Sequence, residues 1–192
     1  MLELGDAWSA AEGARVEWLT ADMRDFRLDQ PVDLAICMFD GLDALPTNDD
    51  IVRHLRAVAR SLSPHGLYVL EYTHPRDCSV QRYGNFRYAG RRDGIEVEVT
   101  WAIEPPVVDL VAGTVEVVIE LRVNDRGWPL RIIDTAKERF LLPQEIVLLA
   151  ERSGVLEVAG WYGDFDLGQP LDMSPASRRM IGVLRKRTPH DG

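Results

Sequence analysis

The sequence predicts an α/β protein in which a parallel sheet is combined with an antiparallel one. Two apolar runs, at 32–38 and 67–72, are typical of strands covered on both faces, and an amphipathic helix separates them. Residues 95–101 and 115–123 instead alternate apolar and polar side chains, as strands do when one face meets solvent.

The first thirty residues predict a helix, a short strand and a turn. Apolar residues recur at helical spacing over 2–12, and Glu12-Gly13 ends this helix. The segment Val16–Thr20 favours a strand, and the polar residues 21–26 favour a turn behind it. The helix begins at Met1 with no capping residue before it.

The helix between the two apolar strands has a clear start signal. Thr47 precedes Asp50 by three residues, which is the spacing of an N-terminal cap. Ile51, Leu55 and Val58 then fall on one helical face, and the segment Pro64-His65-Gly66 ends the element.

The remaining elements follow from local patterns. Residues 76–93 are polar and predict a connection, and 124–127 predict a turn between alternating strands. Pro143 suits the first turn of a helix that Gly154 closes, and strands are expected at 155–161 and 178–186.

The net charge, the length of the apolar runs and the cysteine content limit the partners and the cellular compartment that we expect. A net charge of -9 argues against nucleic acid as a partner. No apolar run is long enough to span a membrane and no signal peptide is visible, so we expect no membrane partner and a cytoplasmic protein. Cys37, Cys78 and four dispersed histidines predict neither a metal site nor a disulfide framework.

Three stretches carry a resemblance to a known family. The first is ADMRDF, followed by PVDLAICMFDGLDAL. The second is LSPHGLYVLEY, in which a turn leads into a strand. The third is RFLLPQEIVLLAERSGV, with YGDFD and SRRMIGVLRK behind it. In this order and spacing they resemble class I S-adenosylmethionine-dependent methyltransferases of the small-molecule type.

The resemblance implies a Rossmann-like methyltransferase sheet that is N-terminally incomplete. The family's first two strands, with their glycine-rich cofactor loop, have no counterpart here, so Val16–Thr20 loses its neighbours and we expect a truncated chain. The implied domains are a partial core at 1–75, an antiparallel β insertion at 76–138 and a completing segment at 139–192.

The resemblance also implies a cofactor, S-adenosyl-L-methionine, and residues that bind it. Asp22 would accept a hydrogen bond from the adenine amino group, with the Met23 backbone beside the ring. Met38 and Phe39 would lie against the ribose and methionine portions. The competing interpretations are a turn aspartate that caps its own backbone and ordinary strand-end packing.

The acceptor side is expected where the apolar strands end. Asp40, Tyr72 and Tyr83 are candidate substrate contacts, and Arg139 could meet an anionic acceptor, although a surface salt bridge explains it as well. His74 is the candidate catalytic residue, because a histidine can exchange a proton near neutral pH. Its alternative is polar surface.

Three functional hypotheses remain. The leading one is S-adenosylmethionine-dependent methyl transfer to a small-molecule acceptor, impaired in the chain as given, with a possible homodimer through the β insertion. The second is a non-catalytic binding or dimerisation module derived from a methyltransferase. The third is an unrelated α/β domain whose antiparallel sheet binds an apolar ligand.

Overall fold

A computed structural model describes residues 2–77 and 86–188, and this part of the chain forms two β-sheets and three α-helices. The helices are Leu2–Ala11 (α1), Asn48–Ser61 (α2) and Pro143–Ser153 (α3). Within the described ranges, no helix combines the length and the apolar character that crossing a membrane requires.

The first sheet has four strands in the order β1-β2-β9-β8. Its strands are Val32–Cys37 (β1), Leu62–Thr73 (β2), Leu156–Tyr162 (β8) and Arg179–Lys186 (β9). As the sequence predicts, β1 and β2 are parallel, and Cys37 pairs with Leu70. The carboxyl ends of these two strands therefore meet at one edge of the sheet, where ligands bind in open α/β folds.

Helices α2 and α3 pack together and cover one face of this sheet, so most of the core lies here. The other face is open at β1, where Leu34 and Ile36 are 55% and 63% exposed, so the prediction that β1 is covered on both faces is wrong. Leu70, Leu156 and Leu184 have no exposed surface, and each such burial stabilises the fold by about 1.5–3 kcal/mol. Helix α2 begins as predicted, because the Thr47 hydroxyl accepts a hydrogen bond of 3.1 Å from the Asp50 amide.

The second sheet has five antiparallel strands, in the order β3-β4-β6-β5 with β7 on the free side of β6. Its strands are Phe86–Arg92 (β3), Ile95–Trp101 (β4), Val107–Asp109 (β5), Thr114–Asp125 (β6) and Trp128–Arg139 (β7). The core of this sheet is small, since Val115 and Val117 are its fully buried members.

Two tight hairpins order the second sheet. Arg126-Gly127 joins β6 to β7, which confirms the predicted turn. Asp93-Gly94 joins β3 to β4, and both of its residues have positive φ, as two-residue hairpins of this kind require. Strand β3 thus lies inside the segment that the sequence predicted as a polar connection.

Two other predictions differ from the structure. Val16–Thr20 is exposed and forms no strand, because no strand among the described residues lies beside it. Strand β2 begins at Leu62, before the predicted Leu67, and accommodates Pro64 and His65 through a register shift in its pairing with β1. Helix α1 agrees with its prediction.

Candidate functional site

A cavity of about 540 Å³ lies where the carboxyl ends of β1 and β2 face the second sheet. One side comes from the segment that follows β1, from the end of β2 and from the start of β9. The other side comes from β3, β4 and the end of β7. The cavity is thus built at the edge that the parallel pairing predicts.

The backbone that leaves β1 adopts an uncommon conformation. Phe39 and Asp40 have φ values of 55° and 57°, which non-glycine residues rarely adopt. Gly41 follows, and a Cβ atom there would lie 2.7 Å from the Cys37 sulfur, so a larger residue would displace the Cys37 side chain. The turn leaves the Phe39 residue exposed to solvent over 81% of its surface. Strained backbone of this kind concentrates at functional sites.

Arg179 links two carboxylates at this edge. Its Nε donates to Glu71 at 2.7 Å and its Nη2 donates to Asp40 at 2.9 Å. The same carboxylates hold the backbone, since Glu71 accepts from the Phe39 amide at 3.0 Å and Asp40 accepts from the Thr73 amide. The network therefore fixes the strained turn to the end of β2.

A second pair of carboxyl groups lines the cavity beside this network. Asp43 lies in the short 3-10 helix Gly41–Ala44, and Glu138 lies near the end of β7 and is 8% exposed. Burial, followed by the charges on Glu138 and Asp40, raises the pKa of Asp43 to about 8. Asp43 consequently holds a proton at neutral pH.

Tyr72 lies behind these carboxyl groups. It is 3% exposed, and its hydroxyl has no hydrogen-bond partner within the described part of the chain. Burial raises its pKa well above the usual range, and the nearby charges of Asp43 and Asp40 raise it further. The sequence analysis names Tyr72 as a substrate contact. The structure places it next to the cavity-lining carboxyl groups but outside the lining itself.

Aromatic rings form the opposite wall. The rings of Phe86 and Trp101 stack with centroids 5.5 Å apart, and Tyr88 lies 5.2 Å from Phe86. The three residues occupy neighbouring positions on the paired strands β3 and β4. Phe86 and Tyr88 are 42% and 58% exposed, so the rings offer apolar surface to a ligand.

The predicted adenine turn lies apart from the cavity lining. Asp22 accepts from the Arg24 amide at 2.8 Å and pairs with the Arg24 side chain, which lowers its pKa. This is the geometry of a turn aspartate, the alternative that the sequence left open. The Met23 carbonyl accepts a hydrogen bond of 2.7 Å from His54 Nδ1. That buried histidine also meets the Tyr68 hydroxyl at 2.9 Å, and burial lowers its pKa.

His74, the candidate catalytic residue, is 2% exposed and does not line the cavity. Its Nδ1 accepts from the Arg76 amide at 3.1 Å, so the proton of the neutral ring lies on Nε2. That nitrogen faces the Asp172 carbonyl at 2.8 Å and the Ser177 hydroxyl at 3.1 Å. Both nitrogens are thus engaged by protein groups, which favours holding the 172–177 segment over acting on a ligand.

The other predicted site residues differ in whether they line the cavity. Phe39 and Asp40 line the cavity, whereas Met38 precedes the strained turn and is not part of the lining. Arg139 is 7% exposed and bonds Glu145 at 2.7 Å, so it forms an ion pair as the alternative predicted, although a buried one. Tyr83 lies outside the described residues.

Four charged cavity residues receive no role in the sequence analysis: Asp43, Glu71, Glu138 and Arg179. One signal was available for Glu71, because a charged residue at the end of the apolar run LYVLEY must find a partner when buried. Asp43, Glu138 and Arg179 come together only through the tertiary fold.

Comparison with known proteins gives matches at the level of structure. No protein-family model matches the sequence, and no curated protein matches it.

Within the described residues, no group of three or more His, Cys, Asp or Glu side chains could hold a metal ion.

Three solved structures illustrate the matches. An S-adenosylmethionine-dependent methyltransferase from Clostridium acetobutylicum has a TM-score of 0.73 at 17% identity and covers 96% of this chain and 70% of its own. The sugar N-methyltransferase KedS8 from Streptoalloteichus has a TM-score of 0.64 at 18% identity, with 88% and 61% covered. CalS10, an amino pentose methyltransferase from Micromonospora echinaspora with SAM bound, has a TM-score of 0.58 at 18% identity, with 87% and 63% covered.

The chain spans about 60 to 70% of the length of these matched chains. The protein therefore has the fold of the S-adenosylmethionine-dependent methyltransferases, as its resemblance to them implied.

Proposed function

We propose that this chain serves S-adenosylmethionine-dependent methyl transfer to a small-molecule acceptor. The observation that carries the proposal is the cavity at the carboxyl ends of β1 and β2, formed around a strained turn and closed by aromatic rings of the second sheet. The matched sugar methyltransferases support an acceptor of small-molecule size.

The residues present fit part of the cofactor. The cofactor supplies an activated methyl group on a sulfonium, so the protein mainly has to align the acceptor with it. The exposed Phe39 ring offers a surface for the ribose and methionine portions. At the turn, both Asp22 oxygens accept from Arg24 and the Met23 carbonyl accepts from His54, so adenine would have to share or replace the Arg24 pairing to reach Asp22. These 192 residues contain no glycine-rich loop of the family's type for the amino-acid end.

The test is a calorimetric titration of S-adenosylhomocysteine into the 192-residue chain. We expect saturable binding at one site, weakened about tenfold by Asp22→Ala, the amount that one lost charge-assisted hydrogen bond represents. Asp22→Asn keeps an oxygen for the Arg24 amide and so separates loss of the ligand contact from loss of the turn.

Asp25→Ala is the matched control, because Asp25 is an exposed aspartate of the same turn that pairs with Arg60. Equal losses in Asp22→Ala and Asp25→Ala would remove the adenine assignment. A folded chain with no measurable binding would contradict the proposal.

A second candidate is the non-catalytic dimerisation module, and one observation favours it. One face of β7 carries Trp128, Leu130 and Ile132, which are 80%, 55% and 44% exposed. Such apolar patches mark interaction surfaces. Sedimentation of the wild type and of Leu130→Asp tests it: a dimer that the aspartate dissociates, without any cofactor binding, would favour this candidate over methyl transfer.

A further inference from the structure

The polar face of the second sheet forms a groove of about 760 Å³ across β3, β4, β6 and β7. Arg87 and Ala89 line it, whereas Phe86 and Tyr88, which alternate with them along β3, line the cavity. Successive side chains of a strand point to opposite faces of a sheet, so the second sheet separates the groove from the cavity. The groove is therefore a second concave surface, apart from the proposed methyl-transfer site.

Arginine side chains give this groove its charge. Four of them line it and are 60–74% exposed: Arg87, Arg91, Arg122 and Arg131. Within the described residues, their ion pairs involve three carboxylates on the same face: Glu96, Glu98 and Glu120. Guanidinium groups match carboxylates in shape as well as in charge. The groove thus offers positive charge to an acidic ligand, although the whole chain has a net charge of -9.

Two of the arginines occupy directly opposed positions. Arg122 on β6 pairs in register with Arg131 on β7, and like charges opposite each other destabilise a sheet. Glu120, which is 4% exposed, compensates for this, because its two oxygens lie 2.5 Å from Arg131 Nε and 2.8 Å from Arg122 Nε. Both contacts are made by Nε, so Glu120 leaves the terminal nitrogens of the two guanidinium groups to other partners.

The remaining ion pairs face solvent on their arginine side. Arg87 pairs with Glu98, and Arg91 Nε lies 3.3 Å from Glu96. Arg122 Nη1 lies 3.9 Å from Glu98. Surface pairs of this kind contribute little to stability. A carboxylate of a ligand can therefore replace Glu96 or Glu98 at small cost.

The spacing of the arginines favours an extended ligand over a compact one. Strands β3 and β7 are three strand spacings apart, which is about 14 Å. A single phosphate or carboxylate group is too small to contact arginines on both strands. Carboxylates at alternate residues of an extended peptide recur about every 6.8 Å, so three of them also span about 14 Å. The arginines of the groove thus match an acidic peptide that crosses the strands.

We propose that the polar face of the second sheet binds an acidic segment of a partner protein in an extended conformation. Carboxylates at alternate positions of the segment pair with Arg131, with Arg122 and with the arginines of β3. The site does not depend on the proposed methyl transfer, because it lies on the other face of the sheet and its ligand does not enter the cavity.

The test compares three peptides of equal length by calorimetric titration at pH 7 and low ionic strength. The first alternates three aspartates with two serines, the second places the three aspartates side by side, and the third replaces the aspartates of the first by asparagines. We expect the alternating aspartate peptide to bind about tenfold more tightly than the asparagine peptide and about threefold more tightly than the contiguous one. Equal binding of the aspartate and asparagine peptides would overturn the proposal.

Inorganic pyrophosphate is the probe for a compact ligand. We expect it to bind more weakly than the alternating peptide, because it cannot reach across the groove. Tighter binding of pyrophosphate, or equal binding of the contiguous and alternating peptides, would overturn the assignment of an extended segment.

Arg131→Gln locates the site. It removes one of the two opposed guanidinium groups, so we expect the affinity for the alternating peptide to fall about tenfold. Arg87→Gln gives the same test on β3 if the first variant does not fold. Arg185→Gln is the matched control, since Arg185 is an exposed arginine of the first sheet that pairs with Glu157. Equal losses in the groove variant and in Arg185→Gln would overturn the location.

Glu98→Gln gives a result that a merely structural role would not. Glu98 pairs with Arg87 and approaches Arg122, so it competes with the ligand for both arginines. We expect its neutralisation to tighten binding of the alternating peptide about threefold. Unchanged or weaker binding would overturn the exchange of Glu98 for a carboxylate of the ligand.

Discussion

The first and second sheets are stabilised in different ways. Helices α2 and α3 cover one face of the first sheet, and central residues such as Leu70 and Leu184 are fully buried. The second sheet buries only Val115 and Val117 to that degree, and it relies on its long hairpin pairing between β6 and β7. Packing thus fixes one region, whereas backbone hydrogen bonds mainly fix the other.

The candidate site lies where these regions meet, and it takes a different part from each. The packed region supplies the strained turn and the Arg179 network, whose geometry its core holds. The hairpin region supplies the aromatic wall and Glu138. We infer that the wall adapts to ligands more readily than the turn does.

The largest expected effect tests the difference in packing directly. Leu184→Ala should lower the free energy of unfolding by about 3–4 kcal/mol, because it opens a cavity in the large core. Val117→Ala removes fewer carbons from a smaller cluster and should cost about 2 kcal/mol. Urea denaturation followed by circular dichroism measures both. A Val117 variant as unstable as the Leu184 variant would contradict the comparison.

The next effect concerns the network at the edge of the packed region. Arg179→Gln leaves Glu71, which is 6% exposed, without its cation and should cost about 3 kcal/mol. Arg185→Gln is the control, since Arg185 forms an exposed pair with Glu157 and should cost less than about 1 kcal/mol. Similar losses in the two variants, measured by urea denaturation, would show that burial does not set the value of the Glu71 pair.

A pH-dependent effect reports on the contact between the two regions. The folded-state pKa of Asp43, about 8, lies above its value in an unfolded chain, about 3.9. Its contribution to stability is therefore complete below pH 4 and is lost as the pH rises towards 8. As the pH rises across this range, we expect the wild type to lose stability relative to Asp43→Asn, because the variant has no proton to lose at this position. A difference that stays constant with pH would refute the raised pKa.

The smallest expected effect concerns the N-terminal cap of helix α2, which packs on the first sheet. Thr47→Ala removes the cap of α2 and should cost about 1 kcal/mol. Thr20→Ala, in the exposed segment before the adenine turn, should change stability by less than half of that. Thermal denaturation of both variants measures the difference, and equal midpoints would argue against a capping role for Thr47.

Local patterns explain why much of the fold was predictable. The Thr47 cap, the helical spacing of α2 and the turn before β7 depend on residues a few positions apart, and all three agree with the structure. The hairpin at Asp93-Gly94 was predictable too, because Asp-Gly favours such turns, but the polar side chains around it suggested a connection.

The site was less predictable because its members converge from distant positions. Phe39 and Asp40 could be named because they end an apolar strand that resembles the family's cofactor-binding one, whereas Arg179 meets Glu71 only when β9 pairs with β2. At Val16–Thr20 the sequence predicted a strand that the structure does not form. These residues have strand propensity, but a strand also needs a neighbouring strand to pair with.

The position of β9 has a consequence for synthesis on the ribosome. Strand β9 pairs with β2 and β8 in the middle of the first sheet, yet it follows the whole second sheet in chain order. The hairpins of the second sheet can close as soon as they emerge, whereas β2 lacks one partner until β9 has been translated. Until then the nascent chain exposes the apolar edge of β2, and this is the interval in which a chaperone would protect it.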